Sequence, residues 1–268
     1  MTMWTDYRGR AVLVTGGTRG IGLATAKAFS RCGADVFITA KWGSVSERTL
    51  HESFAADGLA APVLLDADAR VDDDTAQVMA TIGRTHATLH AFVSNVAFAP
   101  VVAGLDEYTL RGLLTGIEYS AWPLVSHTLA ARRQFGHAPR YVIGMSSEGA
   151  ETLHFRYDLV AVSKAALETL ARYLHQRLRD GGTRVNVVRT RFVDTEALRS
   201  SFSEVFIPFV TERAPGIIST PEVVADAVLA LCSGWLDGMG GQVIRADGGA
   251  HVFDNFSRLY TLSQEHQS

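Results

Sequence analysis

The sequence predicts an α/β fold: a single-domain, doubly wound parallel sheet of about seven strands with helices on both faces. Three observations carry this. Short apolar runs alternate with helix-patterned stretches along the whole chain. The runs are continuously apolar, as strands buried on both faces require. A glycine-rich turn links the first strand to the first helix.

The elements follow in order. Strand-like runs cover 11–15, 35–39, 62–66, 89–94, 140–145, 184–189 and 242–246. Helix-like stretches cover 20–31, 45–57, 72–84, 106–133, 158–179 and 221–232. Pro123 should kink the helix it falls in or limit its start. The segment 195–220 breaks the rhythm, mixing Phe202, Phe206, Ile207 and Phe209 with polar residues. Near strand carboxyl ends such a segment reads as a substrate lid. No linker or repeat divides residues 1–268, and 251–268 reads as a C-terminal tail.

Composition narrows the function. A net charge of −3 implies no polyanion partner, so no nucleic acid is expected. No apolar run reaches membrane-spanning length. The first ten residues lack the apolar core of a signal peptide. Cys32 and Cys232 form no metal or redox motif and read as buried thiols, which suits a cytoplasmic protein. His127, His137, His154 and His175 have no metal-ligand spacing, so no metal is expected. His154, three residues before Tyr157, reads as a loop residue, with a place in the pocket as the alternative.

Residues 15–22 read Thr-Gly-Gly-Thr-Arg-Gly-Ile-Gly. Gly16 permits a tight or positive-φ turn, Gly20 lets backbone approach a pyrophosphate, and Gly22 lets helix pack on strand. The N–H groups opening the helix, including those around Thr18 and Ile21, would then face phosphates with the helix dipole behind them. This is the Rossmann-type arrangement, and it points to a dinucleotide.

Further motifs occur along the chain: Asp68 after the third strand, Ser94-Asn95-Val96-Ala97 on the fourth, and Ser146-Ser147 on the fifth. Then come Ser163-Lys164-Ala165-Ala166, Arg184-Val185-Asn186-Val187, Gly241-Gln242-Val243-Ile244 and Asp247-Gly248-Gly249. In this order they resemble the short-chain dehydrogenases/reductases over roughly residues 8–250. Most members of that family place a tyrosine four residues before the lysine; here that position is Val160, and Tyr157 stands seven before Lys164. This spacing resembles the enoyl-acyl-carrier-protein reductase branch, as do the flanking Ser146-Ser147-Glu148-Gly149-Ala150-Glu151 and Ala171-Arg172-Tyr173-Leu174.

The resemblance implies roles. Hydride delivery to an enone or enoyl thioester creates an enolate oxygen that a phenol can stabilise or protonate. Tyr157 would be that donor, with Lys164 lowering its pKa and holding the nicotinamide ribose. Ser147 takes the usual active-site serine position. Asp68, beside Ala69, would meet the adenine amino group, Asn95 and Ala97 the adenosine ribose, and Val193 and Thr195 the nicotinamide carboxamide. The second strand ends on Ala40 followed by Lys41, with Arg19 in the glycine turn. Two cations and no acid suit a ribose 2′-phosphate, hence NADPH (NADP) rather than NADH.

Three further departures from the family pattern stand out. Tyr119 replaces an asparagine of the long helix, Thr190-Arg191 replaces Pro-Gly, and Val96 replaces alanine. Tyr119, Arg191 and Phe202 are therefore candidate substrate contacts. Arg189 and Arg191 project to one side of an extended chain, to bind a phosphate or carboxylate or to pair with surface acids.

The expected activity is NADPH-dependent reduction of an activated C=C on a small or carrier-bound thioester or conjugated carbonyl. A carbonyl/alcohol oxidoreductase, or a divergent member with a non-redox or assisting role, are the alternatives. The helices over 106–133 and 158–179 carry apolar residues on more than one face, Leu167, Leu170, Leu174 and Leu178 among them. Such helices need a second partner surface, so a homotetramer or homodimer is expected.

Overall fold

The computed structural model describes residues 5–41, 45–203, 205–214 and 216–265. The lid segment and the tail each include residues outside that set (204, 215 and 266–268). The order begins β1 (Ala11–Thr15), α1 (Gly20–Arg31), β2 (Asp35–Ala40), α2 (Glu47–Ala55), β3 (Val63–Asp66), α3 (Asp72–Gly83) and β4 (Leu89–Ser94). It continues α4 (Leu110–Ser120), α5 (Trp122–Phe135), β5 (Tyr141–Ser147), α6 (Asp158–Leu178) and β6 (Arg184–Thr190). The last part is β7 (Phe192–Val193), α7 (Glu196–Phe202), α8 (Phe206–Arg213), β8 (Ile218–Ser219), α9 (Pro221–Leu231), β9 (Val243–Ala246) and α10 (Asn255–Glu265).

Seven parallel strands pair in the order β3-β2-β1-β4-β5-β6-β9. Alternate strand residues face opposite sides, and the core divides accordingly. Val12, Val14 and Ile38 pack with Phe29 of α1 and Val224 and Val228 of α9. Leu13, Phe37 and Phe92 pack with Val78 and Ile82 of α3, Leu124 of α5 and Leu167 of α6. The doubly wound sheet is thus as the apolar runs require.

Strand order reverses between β1 and β4, and a crevice opens outside their carboxyl ends. Thr15 closes its base: its hydroxyl donates to the Val93 carbonyl at 3.3 Å and accepts from the Asn95 amide at 3.0 Å. The Asn95 side chain donates to the Thr15 and Gly16 carbonyls at 3.1 and 3.0 Å, bracing the glycine turn from the next strand.

Two expectations need correction. The single helix expected over 106–133 is a short 3-10 turn (Leu105–Glu107) followed by α4 and α5, which break at Ala121. Pro123, in the first turn of α5, lacks an N–H to continue α4 but suits a helix start. Within the tail, 255–265 forms α10. Leu167, Leu170 and Leu174 pack toward the sheet. The exposed apolar side chains of these helices are instead Leu110 and Leu114 of α4, Trp122 of α5, and Val162 and Tyr173 of α6. No helix among the described residues is long and apolar enough to cross a membrane.

Gly22 shows how tightly the turn is closed. A Cβ there would lie 2.4 Å from the Gly16 carbonyl oxygen and 2.6 Å from Asn95 Nδ2. Gly22→Ala should therefore cost about 1–3 kcal/mol of stability. A urea melt checks this, and an unchanged midpoint would contradict the packing described.

Candidate active site

A cleft of about 480 Å³ runs along the carboxyl ends of the strands, within the range of small-ligand sites. Gly16, Thr18, Arg19, Gly20, Ile21, Ala40, Lys41, Asp68, Ala69, Asn95, Ala97, Tyr119, Ser147, Tyr157, Lys164, Arg191, Val193, Thr195 and Phe202 all line it. Gly22 does not, serving the turn behind.

At one end Gly16 and Gly20 adopt positive φ, 64° and 53°. Arg19 caps α1 in extended conformation with no side-chain hydrogen bond to the helix N–H groups. The uncapped helix start opening on a cleft fits a phosphate, and so the dinucleotide the glycine pattern implies. The Asn95 side chain lines the cleft and braces the turn through its Nδ2. Arg19 itself pairs with Glu196 at 3.2 Å across the surface.

Beside this end stands a charged knot. Lys41 Nζ donates to Asp68 at 2.5 Å and to the Tyr119 hydroxyl at 2.9 Å. Arg70 adds a hydrogen bond to Asp68 at 3.0 Å, and its guanidinium lies 4.3 Å from the Tyr119 ring centre. Burial would raise the Asp68 pKa, but the Arg70 and Lys41 hydrogen bonds outweigh it and hold the carboxyl at about 2. Tyr119 therefore belongs to the Asp68 knot, which corrects its expected place against the substrate. Arg70 was missed in the sequence; its spacing of two from Asp68 is the signal, since a side chain there can fold back on the acid.

The other end is built on β5, α6 and the loop between. Lys164 is buried on α6, and its Nζ donates to the Met145 carbonyl at 2.8 Å. One turn further, the buried Glu168 accepts from Ser146 Oγ at 2.6 Å and from Arg189 Nε and Nη2 at 2.9 and 2.5 Å. Arg189 also meets Glu151 at 2.5 Å. Arg189 thus pairs with acids rather than a ligand, one of them deeply buried.

Tyr157 caps α6, entered through Arg156 at φ 62°, an unusual conformation for a non-glycine residue. Its phenol and the Ser147 side chain line the same end of the cleft. Its ring fills the space above Gly149, where a Cβ would lie 2.5 Å away. Burial raises the Tyr157 pKa, against the lowering by the Ser147 hydrogen bond. Burial also lowers Lys164 to about 8, with Glu168 opposing. The expectation that Lys164 depresses the phenol is corrected: its ammonium is turned to the Met145 carbonyl and burial prevails, leaving a neutral phenol at neutral pH.

Glu148, His154 and Arg191 complete this end. Arg191 Nε lies 2.9 Å from Glu148 Oε2, and Arg191 Nη1 donates to the Ala250 carbonyl at 2.8 Å. His154 lies edge-on to Tyr157 and to Phe192. It is a cleft residue, not an incidental one. In the lid segment, Phe202 and Phe206 cluster on Phe192 of β7, with the first two rings stacked at 4.2 Å.

A family model described as enoyl-(acyl carrier protein) reductase matches residues 16–251. The chain belongs to that family of short-chain dehydrogenases/reductases. It is 26% identical over 264 residues to the NADH-dependent enoyl-[acyl-carrier-protein] reductase FabI of Aquifex aeolicus, covering 96% of this chain and 97% of that protein. It is also 26% identical over 252 residues to FabI of Escherichia coli, covering 91% and 95%. Protein FixR of Bradyrhizobium diazoefficiens is 28% identical over 253 residues, covering 91% and 87%. In fold it superposes on a short-chain dehydrogenase from Burkholderia cenocepacia, solved with NADP. The TM-score is 0.80 at 24% identity, with 92% of this chain and 100% of that one covered. The chain is an oxidoreductase of this type that binds a nicotinamide cofactor.

Two predictions follow from the buried groups. Lys164 releases its proton near pH 8 when folded and near 10.5 when unfolded. The unfolded state thus binds more protons between those values, and this residue adds stability as pH rises through them. Lys164→Met should raise Tm by a few degrees at pH 7 and remove that rise; a Tm series from pH 7 to 10.5 checks it, and an unaltered pH profile would contradict it. Gly149→Ala must displace the Tyr157 ring, so reductase turnover should fall at least about tenfold while cofactor binding holds. Equal turnover would show the ring position to be immaterial.

Proposed function

We propose that this chain is an NADPH-dependent reductase of an activated carbon–carbon double bond, on an enoyl thioester or conjugated carbonyl. The observation that carries it is Tyr157: a phenol at the start of α6, beside Ser147 in the cleft and kept protonated by burial. Val160, where the commoner family spacing puts the acid, has no proton to give. A neutral phenol is the form needed to donate to an oxygen that gains negative charge.

When bound, the reduced nicotinamide supplies a hydride. Tyr157 donates a hydrogen bond, then its proton, to the substrate oxygen, with Ser147 beside it in the cleft. Lys164 spends one N–H on the Met145 carbonyl, and its others would hold the ribose hydroxyls of the bound cofactor. Phe192, Phe202 and Phe206 screen this end from water. Arg191 and Phe202 are the substrate-side residues.

Cofactor choice rests on charge. Ala40 offers no acid to a ribose hydroxyl, while Lys41 and Arg19 border the same end of the cleft. That balance supports NADPH, although FabI of the relatives is named for NADH. The exposed apolar side chains of α4, α5 and α6 support a homotetramer or homodimer.

Consumption of NADPH measured against crotonyl thioesters, cyclic enones and ketones tests the activity. The thioesters or enones should be reduced, and Tyr157→Phe should cut turnover by about 10²–10⁴ with cofactor binding intact. Reduction of ketones alone, or full activity in Tyr157→Phe, would overturn the reading. In calorimetry NADPH should bind more tightly than NADH, and Arg19→Ala with Lys41→Ala should erase the difference, each phosphate contact contributing about 1.5–3 kcal/mol. Equal affinities in the unaltered protein would contradict the choice of NADPH.

A further inference from the structure

Beyond Tyr157 the cleft ends on polar groups that the reduction itself does not use. Glu148 is the first residue after β5, and its side chain is only 6% exposed. Arg191 Nε approaches Glu148 Oε2 to 2.9 Å, but at an angle that makes an ion pair and no hydrogen bond. His154 Nε2 faces the same oxygen from 3.9 Å, beyond hydrogen-bond reach. Among the described residues, Glu148 Oε2, His154 Nε2 and Arg191 Nε are all buried without a hydrogen-bond partner. The walls around them are aromatic: His154 packs on Phe192 and Tyr157, and the Arg191 guanidinium lies 5.5 Å from the Phe192 ring centre. Three converging polar groups in such surroundings are costly to leave unmatched.

We propose that Glu148, His154 and Arg191 form a seat for a hydroxyl group that the substrate carries away from its reacting double bond. The inference rests on the reading of the cleft as a reductase site and names the class of substrate it takes. Charge and hydrogen-bond capacity select the group. The cluster holds one carboxylate, one guanidinium and an imidazole that burial keeps neutral, so it carries no net charge. A carboxylate would meet Glu148, and an ammonium would meet Arg191. A carbonyl accepts from Arg191 and His154 but gives Glu148 nothing. A hydroxyl donates to Glu148 Oε2 and accepts from Arg191 Nε or His154 Nε2, so it serves donors and acceptor together. A plain alkyl chain would leave Glu148 Oε2, His154 Nε2 and Arg191 Nε without a hydrogen bond and is disfavoured for that reason.

The test reads binding rather than turnover. Saturated N-acetylcysteamine thioesters, hexanoyl and its hydroxyhexanoyl isomers, are titrated calorimetrically into the full-length protein saturated with NADP⁺. One hydroxy isomer should bind at least tenfold more tightly than hexanoyl. The charge-balanced pair Glu148→Leu/Arg191→Met should abolish or reverse that preference while still binding NADP⁺. If that pair fails to fold, His154→Phe should narrow the preference several-fold. Hexanoyl binding as tightly as every hydroxy isomer, or no measurable binding by any of them, would overturn the proposal. A hydroxyl preference without reduction of any enoyl thioester would overturn only the reductase reading. Reduction of enoyl thioesters with no hydroxyl preference would overturn only this one.

Discussion

The buried carboxylate of Glu168 is the constraint on which the rest of the active end depends. Removing such a group from water costs several kcal/mol unless it is fully paired. Here Arg189 of β6 holds it with two hydrogen bonds and Ser146 of β5 with a third. These bonds join one point of α6 to the carboxyl ends of two central strands. The helix then has a single register against the sheet. One turn before Glu168, that register sets Lys164 on the Met145 carbonyl, and about two turns earlier it sets Tyr157 over Gly149. Glu151 and Arg245 extend the same ladder to the surface.

Burial then shapes the chemistry. It lifts the Tyr157 phenol and depresses the Lys164 ammonium, so both groups are pushed toward their neutral forms. A neutral phenol suits a donor to an enolate better than it suits a base. The opposite end of the cleft behaves differently. Around Asp68, Lys41 and Arg70 keep a carboxylate charged, and the uncapped start of α1 lies close by. One cleft thus offers a charged end for phosphates and a low-dielectric end for reaction.

Much of this was legible in the sequence. Short apolar runs such as 11–14, followed at once by a glycine turn, read as strands covered on both faces, and the glycine spacing marks where the crevice opens. The motif residues fall on one cleft because the parallel strands end on one side. What escaped were pairings between distant side chains. Nothing near Tyr119 in sequence announces that Lys41 will draw its hydroxyl away, 78 residues apart. Lys164 was expected to act on Tyr157, but its partner is a main-chain carbonyl, which carries no sequence signature. Arg189 read as a surface or ligand-binding cation until Glu168 was found buried against it. The apolar stripe of α6 was misassigned because a 3.6-residue period shows that a helix has an apolar face, not which neighbour covers it.

A double-mutant cycle on Glu168 and Arg189, read by both thermal stability and NADPH affinity, bears on this organisation most directly. Glu168→Leu or Arg189→Met alone leaves one buried charge without its main partner. Each should cost about 3–5 kcal/mol and weaken NADPH binding through the displaced Lys164. The double variant should be more stable than either single variant, with a coupling of at least about 1 kcal/mol. Additive effects, or single variants that bind NADPH and melt like the unaltered protein, would show that the pair does not set the register of α6.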